Sequence, residues 1–292
     1  MRLILPLLGL LACAGPDDKS KAPESEAPTE VTLTEVCAAP EVSAAPGWGD
    51  ANHDGVVDLS DGLWTTRALM HAGPAPACEA AMDLVNDDLV DVGDALLVYY
   101  HLYTANMALP GRTPSCDTVL DLTDPACGRF ALALDAPASV SAAAGATATA
   151  EVHVTLQSPD LAVQGWSFGV HAEGCTISAA TEAGTAGADA NTDAAGKRNT
   201  GFLRMDLVSD GLVHATVLSW QHEVALPLQD DAWRLLTLTV SGAAPTSGCT
   251  PCTLGLTGEL AGDGQPVQVV VAAGGWSYHP PVTDVTVDVC AG

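Results

Sequence analysis

The sequence predicts a multidomain protein in which a small all-α domain is followed by an all-β antiparallel sandwich. A 12-residue acidic segment occurs twice between residues 50 and 94, and a helical pattern of apolar residues follows each copy. From residue 129 onward, apolar and polar residues alternate as they do in strands. The chain has 292 residues, of which 48% are hydrophobic, so it can bury a substantial core.

The charge balance excludes contacts with polyanions. The chain contains 10 Lys and Arg against 36 Asp and Glu, which gives a formal net charge of −26. A surface this acidic repels phosphate backbones and anionic lipid headgroups. We therefore expect no nucleic-acid partner, and contact with a membrane through a lipid anchor only.

The first residues have the pattern of an export signal. Met1 and Arg2 precede an apolar run over residues 3–11, which is too short to span a bilayer. The run ends in Leu11-Ala12-Cys13, which resembles the lipobox of bacterial lipoproteins. The resemblance implies a lipoprotein signal peptide over 1–12, lipidation of Cys13 and anchoring at the bacterial cell surface or outer membrane. An ordinary signal peptide, giving a secreted protein, is the alternative.

Eight cysteines remain once Cys13 is set aside. An even number in an exported chain predicts four disulfides, whose pairing the sequence leaves open. Cys249 and Cys252 have the spacing of a redox dithiol or of half a zinc site. The chain has no second close pair to complete a zinc site, so we expect structural disulfides there.

Composition divides the rest of the chain into four regions. Residues 13–46 are rich in Pro, Glu, Ser and Ala without apolar periodicity, which predicts a disordered tether. Residues 47–110 contain the two acidic segments and the predicted helices at 59–71 and 92–104. A Cys-containing connector follows over 111–128, and the sandwich occupies 129–292.

The acidic segment that starts at Asp50 has the spacing of an EF-hand calcium loop. Oxygen-bearing side chains stand two residues apart, a glycine at the sixth position allows a sharp turn, and a carboxylate closes the loop at the twelfth. The predicted Ca²⁺ ligands are Asp50, Asn52, Asp54, the backbone carbonyl of Val56, Asp58 through a water molecule, and Asp61.

The second segment, which starts at Asp83, departs from this pattern. Without a gap it places Val85 at the third position and Asp88 where the glycine should stand, so it should bind calcium more weakly. A shifted register that uses Asn86 and Asp88 restores the spacing but still lacks the glycine, and both registers stay open. The predicted ligands are Asp83, Asp87, Asp88, Asp91 and Asp94.

Two such loops without an entering helix, each followed by a hydrophobic helix, resemble dockerin domains. The likeness rests on Gly49-Asp50-Ala51-Asn52 and Asp58-Leu59-Ser60-Asp61. It implies a protein-docking module whose partner is a cohesin-like β-sandwich. It also implies that positions 10 and 11 of each loop, here Leu59-Ser60 and Val92-Gly93, contribute to recognition.

The later part of the chain has the strand patterns of an antiparallel sandwich. They lie at 151–156, 163–170, 212–218, 235–240, 267–271 and 285–289. These segments resemble cohesin-like or immunoglobulin-like sandwiches of secreted bacterial proteins. Exposed tryptophans could stack on sugar rings, but we expect core positions for Trp166, Trp220, Trp233 and Trp276.

These features predict a calcium-binding, surface-anchored extracellular protein that mediates protein–protein attachment through the dockerin-like module. The alternative is a carbohydrate-binding or accessory protein in polysaccharide degradation, which would bind an extracellular glycan with its sandwich. We predict no enzymatic activity. Residues 165–169 match the nucleophile elbow of hydrolases, but no helical pattern follows, so we expect Ser167 to face outward between core residues Trp166 and Phe168.

Overall fold

Two β-sheets are the largest part of the secondary structure in the described residues, as a computed structural model shows. It describes residues 32–38, 47–71, 74–87, 89–104, 108–109, 114, 116, 126–190, 192, 201–209, 211–219, 224–261 and 266–292. The predicted signal peptide, Cys13, most of the predicted tether and connector, Asp88 and Trp220 lie outside the described residues. Those described belong to one compact unit, Val31–Gly292.

The described residues contain four helices and thirteen strands. The helices are α1 (Leu59–His71), α2 (Glu79–Met82), α3 (Val92–Tyr103) and α4 (Ala186–Ala190). The strands are β1 (Thr34–Val36), β2 (Gly128–Asp135), β3 (Ser139–Ala142), β4 (Thr147–Ser158), β5 (Gly165–Glu173), β6 (Thr176–Thr181), β7 (Phe202–Val208), β8 (Gly211–Val217), β9 (Gln229–Ala243), β10 (Cys249–Thr257), β11 (Val270–Ala273), β12 (Trp276–Tyr278) and β13 (Val285–Ala291).

The smaller sheet has the order β1-β2-β4-β9-β6, and all its pairs are antiparallel. The larger sheet has the order β12-β11-β5-β10-β13-β3, with β8 also paired to β5 and β7 paired to β8. Its one parallel pair among the described strands joins β13 to β3. Alternate residues of β4 are buried, from Ala148 to Leu156, which is the period expected when one face of a strand covers a core. The predicted all-β sandwich is confirmed.

The predicted small all-α domain is wrong. Helix α1 begins and ends as predicted and α3 ends at Tyr103, one residue early, but the two helices do not enclose a core of their own. Helix α1 contacts β5, β11 and β12 as well as α3, and the apolar side chains of both helices belong to the same cluster as those of the sheets. Two short helices have too little apolar surface to bury each other, so the larger sheet supplies the rest.

Close contacts hold the two helices against each other and against the sheet. The ring of Phe202 on β7 stacks on Tyr99 of α3, with centroids 5.5 Å apart, and lies 5.3 Å from that of Tyr103. A Cβ atom added at Gly165 of β5 would lie 3.0 Å from Leu59. The helices therefore cover the outer face of the larger sheet around β5.

Gly62 permits the close approach of α1 and α3, because a Cβ atom there would overlap the ring of Tyr99. We expect Gly62→Ala to lower the free energy of unfolding by about 1–3 kcal/mol, since the buried ring would have to shift. Urea denaturation measures this change. The reverse change elsewhere in α1, Ala68→Gly, measures the ordinary difference in helix propensity between the two residues, which is about 1 kcal/mol in favour of alanine. If Gly62→Ala stabilised the chain, as an ordinary helical Gly→Ala change does, the contact would be refuted.

The predicted four disulfides are confirmed. They join Cys37 to Cys127, Cys78 to Cys116, Cys175 to Cys252 and Cys249 to Cys290. The close pair Cys249 and Cys252 is thus divided between two bridges and has no free thiol for redox or zinc chemistry. Four disulfides are typical of an extracellular, oxidising environment. No helix in the described part of the chain is long and apolar enough to cross a membrane.

Candidate metal centre

The first acidic loop lies between Gly47 and the start of α1, against the larger sheet. Asp50, Asn52, Asp58 and Asp61 are at most 3% exposed. Val56 is 37% exposed. Carboxylates this deeply buried need hydrogen-bond donors or a cation to offset the loss of hydration.

Backbone amides orient the carboxylates at the two ends of this loop. Asp61 accepts hydrogen bonds from the N–H groups of Ala51 (2.7 Å) and Asp58 (2.8 Å). Asp50 accepts from the N–H groups of Asp54 (3.1 Å) and Gly55 (3.3 Å). The first and last carboxylates of the loop are therefore held toward its interior.

The loop also needs two left-handed backbone positions. His53 and Gly55 have φ values of 57° and 85°. Glycine adopts such angles without steric cost, which explains the glycine at the sixth position. The resulting curl brings alternate side chains to one side of the loop.

The carboxylates of the first loop repel one another. Burial raises the pKa of Asp54 to about 7, and repulsion from Asp58 and Asp50 adds to the effect. Burial, followed by repulsion from Asp54, Asp58 and Asp50, raises the pKa of Asp61 well above its usual value. Burial also raises the pKa values of Asp50 and Asp58. Among the described residues, no Lys or Arg forms an ion pair with these four groups.

A hard cation fits this donor set. Carboxylate, amide and carbonyl oxygens are the ligands that Ca²⁺ takes, and a divalent cation would relieve the repulsion among the aspartates. No group of three or more His, Cys, Asp or Glu in the described part of the chain has the arrangement of a preformed metal site. The amide of Asn52 and a backbone carbonyl would therefore have to contribute, as they do in EF-hand loops.

The second loop repeats the hydrogen bonds of the first in the ungapped register. In the first loop, backbone N–H groups donate from Asn52 to Asp61, from Asp54 to Asp50, from Val56 to Asp54, from Asp58 to Asp61 and from Ser60 to Asp58. In the second loop, the equivalent groups donate, in the same order, from Val85 to Asp94, from Asp87 to Asp83, from Leu89 to Asp87, from Asp91 to Asp94 and from Gly93 to Asp91. Asn86 has a φ of 62°, matching His53 at the fourth position.

This register decides which residues of the second loop face its interior. Asn86 occupies a turn position rather than a ligand position, so the shifted register does not describe the loop. Val85 stands at the third position and brings no oxygen side chain. Asp91 and Asp94 also form a capping box that starts α3, so their carboxylates stabilise the helix whether or not an ion binds.

The two loops differ in their surroundings. The first is covered by the larger sheet, whereas Val85, Leu89 and Val92 of the second are 53%, 65% and 39% exposed. Leu59 and Ser60, at the predicted recognition positions of the first loop, are fully buried. The protein's own sandwich therefore covers the first recognition pair, and Val92 of the second pair remains accessible.

The hairpin formed by β11 and β12 makes the contact between the sandwich and the first loop and helix α1. The hydroxyl of Ser277 donates to Asp58 Oδ1 (2.9 Å) and Oδ2 (2.8 Å). The guanidinium of Arg67 donates to the carbonyl oxygen of Gly274 (2.6 Å). Sequence reasoning missed these hairpin residues, because nothing in the local pattern connects them with a loop more than 200 positions earlier.

The nucleophile-elbow pattern lies inside strand β5. Ser167 is fully buried and donates to the carbonyl oxygen of Gln268 at 2.8 Å, and strand β6 rather than a helix comes directly after β5. Trp166 and Phe168 are buried, as predicted. The predicted outward position of Ser167 is wrong, because the helices cover that face of the sheet and bury the side chain.

The tryptophans of the sandwich offer little surface to a sugar ring. Trp166 and Trp276 are 0% and 9% exposed, as expected of core residues. Trp233 is partly buried and lines a cavity of about 590 Å³ together with Leu226 and Arg234. Among the described tryptophans of the sandwich, no two are exposed, so they do not form the coplanar pair that could stack on a sugar ring.

The solved structures that resemble the chain include cohesin modules. One is the cohesin module of a family 33 glycoside hydrolase from Clostridium perfringens, with 13% identity, a TM-score of 0.33, and coverage of 55% of this chain and 98% of that one. Another is a non-cellulosomal cohesin from the hyperthermophilic archaeon Archaeoglobus fulgidus, with 9% identity, a TM-score of 0.35, and coverage of 55% and 91%.

No protein-family model matches the chain, and no curated protein matches it. The function proposed for the chain therefore rests on its two acidic loops and on the contact of the first loop with the sandwich.

Proposed function

We propose that this chain is an exported calcium-binding protein that attaches to another protein outside the cell, without an enzymatic step. Its first loop would hold Ca²⁺ through Asp50, Asn52, Asp54, the carbonyl of Val56, Asp58 and Asp61. The ion would neutralise the loop and stabilise its fold. Lipidation of Cys13, which the lipobox-like sequence supports, would anchor the protein to a membrane.

One observation carries the calcium proposal: four aspartates are gathered in one loop, with three of them buried, and they repel one another. Burying several like charges together is unfavourable unless the groups take up protons or bind a cation. Backbone N–H groups already hold Asp50 and Asp61 in place. Binding an ion would therefore require little reorganisation of the backbone.

The second loop would bind calcium weakly or not at all. It has the same backbone hydrogen bonds, but Val85 provides no ligand at the third position and the glycine of the sixth is absent. Its exposed apolar side chains, Val85, Leu89 and Val92, instead support a contact with another protein. A partner that recognised Leu59 and Ser60 would have to displace the chain's own sandwich.

Calcium titration by calorimetry on the exported chain without its signal peptide tests this proposal. We expect one strong binding event, which Asp50→Ala abolishes because it removes the first ligand. Asp83→Ala changes the equivalent residue of the second loop and is the matched control, which should keep that event. Absence of any calcium binding by the unaltered chain would overturn the proposal. Loss of the strong event in Asp83→Ala but not in Asp50→Ala would show that the ion binds in the second loop, which also contradicts the proposal.

A further inference from the structure

We propose that Ser277 is a positioning residue of the first loop's ion site, so that the same ion fastens the two helices to the sandwich. This inference rests on the proposed function, because it assumes that the first loop binds Ca²⁺. It adds to the site a strand residue 219 positions away from the ligand that it contacts.

Ser277 lies on β12 and is 3% exposed. Its hydroxyl oxygen is within 2.9 Å of both carboxylate oxygens of Asp58 and 2.5 Å from the hydroxyl oxygen of Ser60. Asp58 is the ninth residue of the loop, where the side chain reaches the ion through water in EF-hand sites. The sandwich thus contacts a predicted ligand directly.

Hydrogen-bond donors restrain both carboxylate oxygens of Asp58. Its Oδ1 atom accepts hydrogen bonds from the backbone N–H and the hydroxyl of Ser60, each at 2.8 Å. Of the described donors, only Ser277 contacts Oδ2. Removing the Ser277 hydroxyl would leave that oxygen without its protein donor and allow the carboxylate to rotate. Donors that orient a metal ligand in this way commonly change metal affinity by about 10–100-fold.

Other contacts of the hairpin reinforce the same junction. The amide of Asn52 donates to the carbonyl oxygen of Gly275 at 3.4 Å. Gly275 has a φ of 84°, and a Cβ atom there would lie 3.0 Å from the ring of Trp64 on α1. The hairpin therefore approaches both the loop and the helix that follows it.

Docking and ion binding are consequently coupled. An ion that orders Asp58 also strengthens its contact with Ser277, and a docked hairpin holds Asp58 ready for the ion. Such coupling is reciprocal, so weakening the junction must weaken ion binding. The ion should likewise protect the backbone of α1 and β12 from local opening.

Two variants of nearly equal shape test the inference. Ser277→Thr keeps the hydroxyl, whereas Ser277→Val replaces it with a methyl group, and both branched residues suit a strand. In calorimetry on the exported chain, we expect Ser277→Val to raise the calcium Kd about ten-fold or more and Ser277→Thr to change it much less. Ser158→Ala is the control, since Ser158 is a buried serine of the other sheet that donates to the carbonyl oxygen of Leu161.

Hydrogen exchange provides the second readout. In the unaltered chain, calcium should slow exchange at residues 59–71 and 276–278 together, and Ser277→Val should reduce that effect. Equal calcium affinities for the Thr and Val variants, together with unchanged exchange, would overturn the inference and leave the proposed function standing. A failure of the unaltered chain to bind calcium would overturn both.

Discussion

Trp64→Ala is expected to lower the free energy of unfolding by about 3–5 kcal/mol, the usual range for removal of a large buried ring. Trp64 is 3% exposed, and its ring packs edge-on against Trp276 of β12 with centroids 4.8 Å apart. Its indole N–H donates to the carbonyl oxygen of Ala75 at 3.2 Å. Alanine would leave a cavity between α1 and the hairpin and would remove this hydrogen bond.

Urea denaturation with the disulfides intact measures the effect. Leu69→Ala is the control, because Leu69 lies on the same helix and is 42% exposed, so its loss should cost far less. Hydrogen exchange in Trp64→Ala should increase in α1 more than in β4. A loss of stability no greater than that of Leu69→Ala would show that α1 does not depend on the hairpin.

Calcium is expected to stabilise the chain by about 2.7 kcal/mol when its free concentration is a hundred times the Kd. The reason is mass action: the assembled loop binds the ion and the unfolded chain does not. Denaturation curves in calcium and in a chelator should therefore differ in their midpoints. The effect should grow further with each increase in free calcium.

Asp50→Ala should remove this dependence, so that its two denaturation curves coincide. Asp83→Ala should retain it, since that residue belongs to the second loop. The first loop is not a calcium site if the stability of the unaltered chain is the same in calcium and in chelator. Repeating the comparison in magnesium measures selectivity, because Mg²⁺ requires a smaller and more regular site.

Local patterns in the sequence predicted the two longer helices and six of the thirteen described strands. The apolar positions after the first loop indicated a helix over 59–71, which is the extent of α1. The alternating pattern at 212–218 lies within one residue of β8, and that at 285–289 lies inside β13. Such patterns succeed because they depend on the period of a helix or a strand, which neighbouring residues determine.

The candidate loops were also evident from the sequence, since their spacing is local. The register of the second loop was not evident, because the sequence allows either Val85 or Asn86 at the third position of the loop. The hydrogen bonds from Val85 N–H to Asp94 and from Asp87 N–H to Asp83 distinguish them. Disulfide pairing was open for a similar reason: it depends on which distant cysteines meet.

The sequence by itself determined helices α1 and α3, six of the thirteen described strands, the number of disulfides and the composition of the first loop. Only the tertiary structure decided that the helices cover the larger sheet, burying Ser167 on β5 and joining Asp58 to Ser277. Periodicity shows which side of an element is apolar, but not which surface will cover it. That choice depends on the total apolar area of elements far apart in the chain, and here two short helices could bury theirs only against the sandwich.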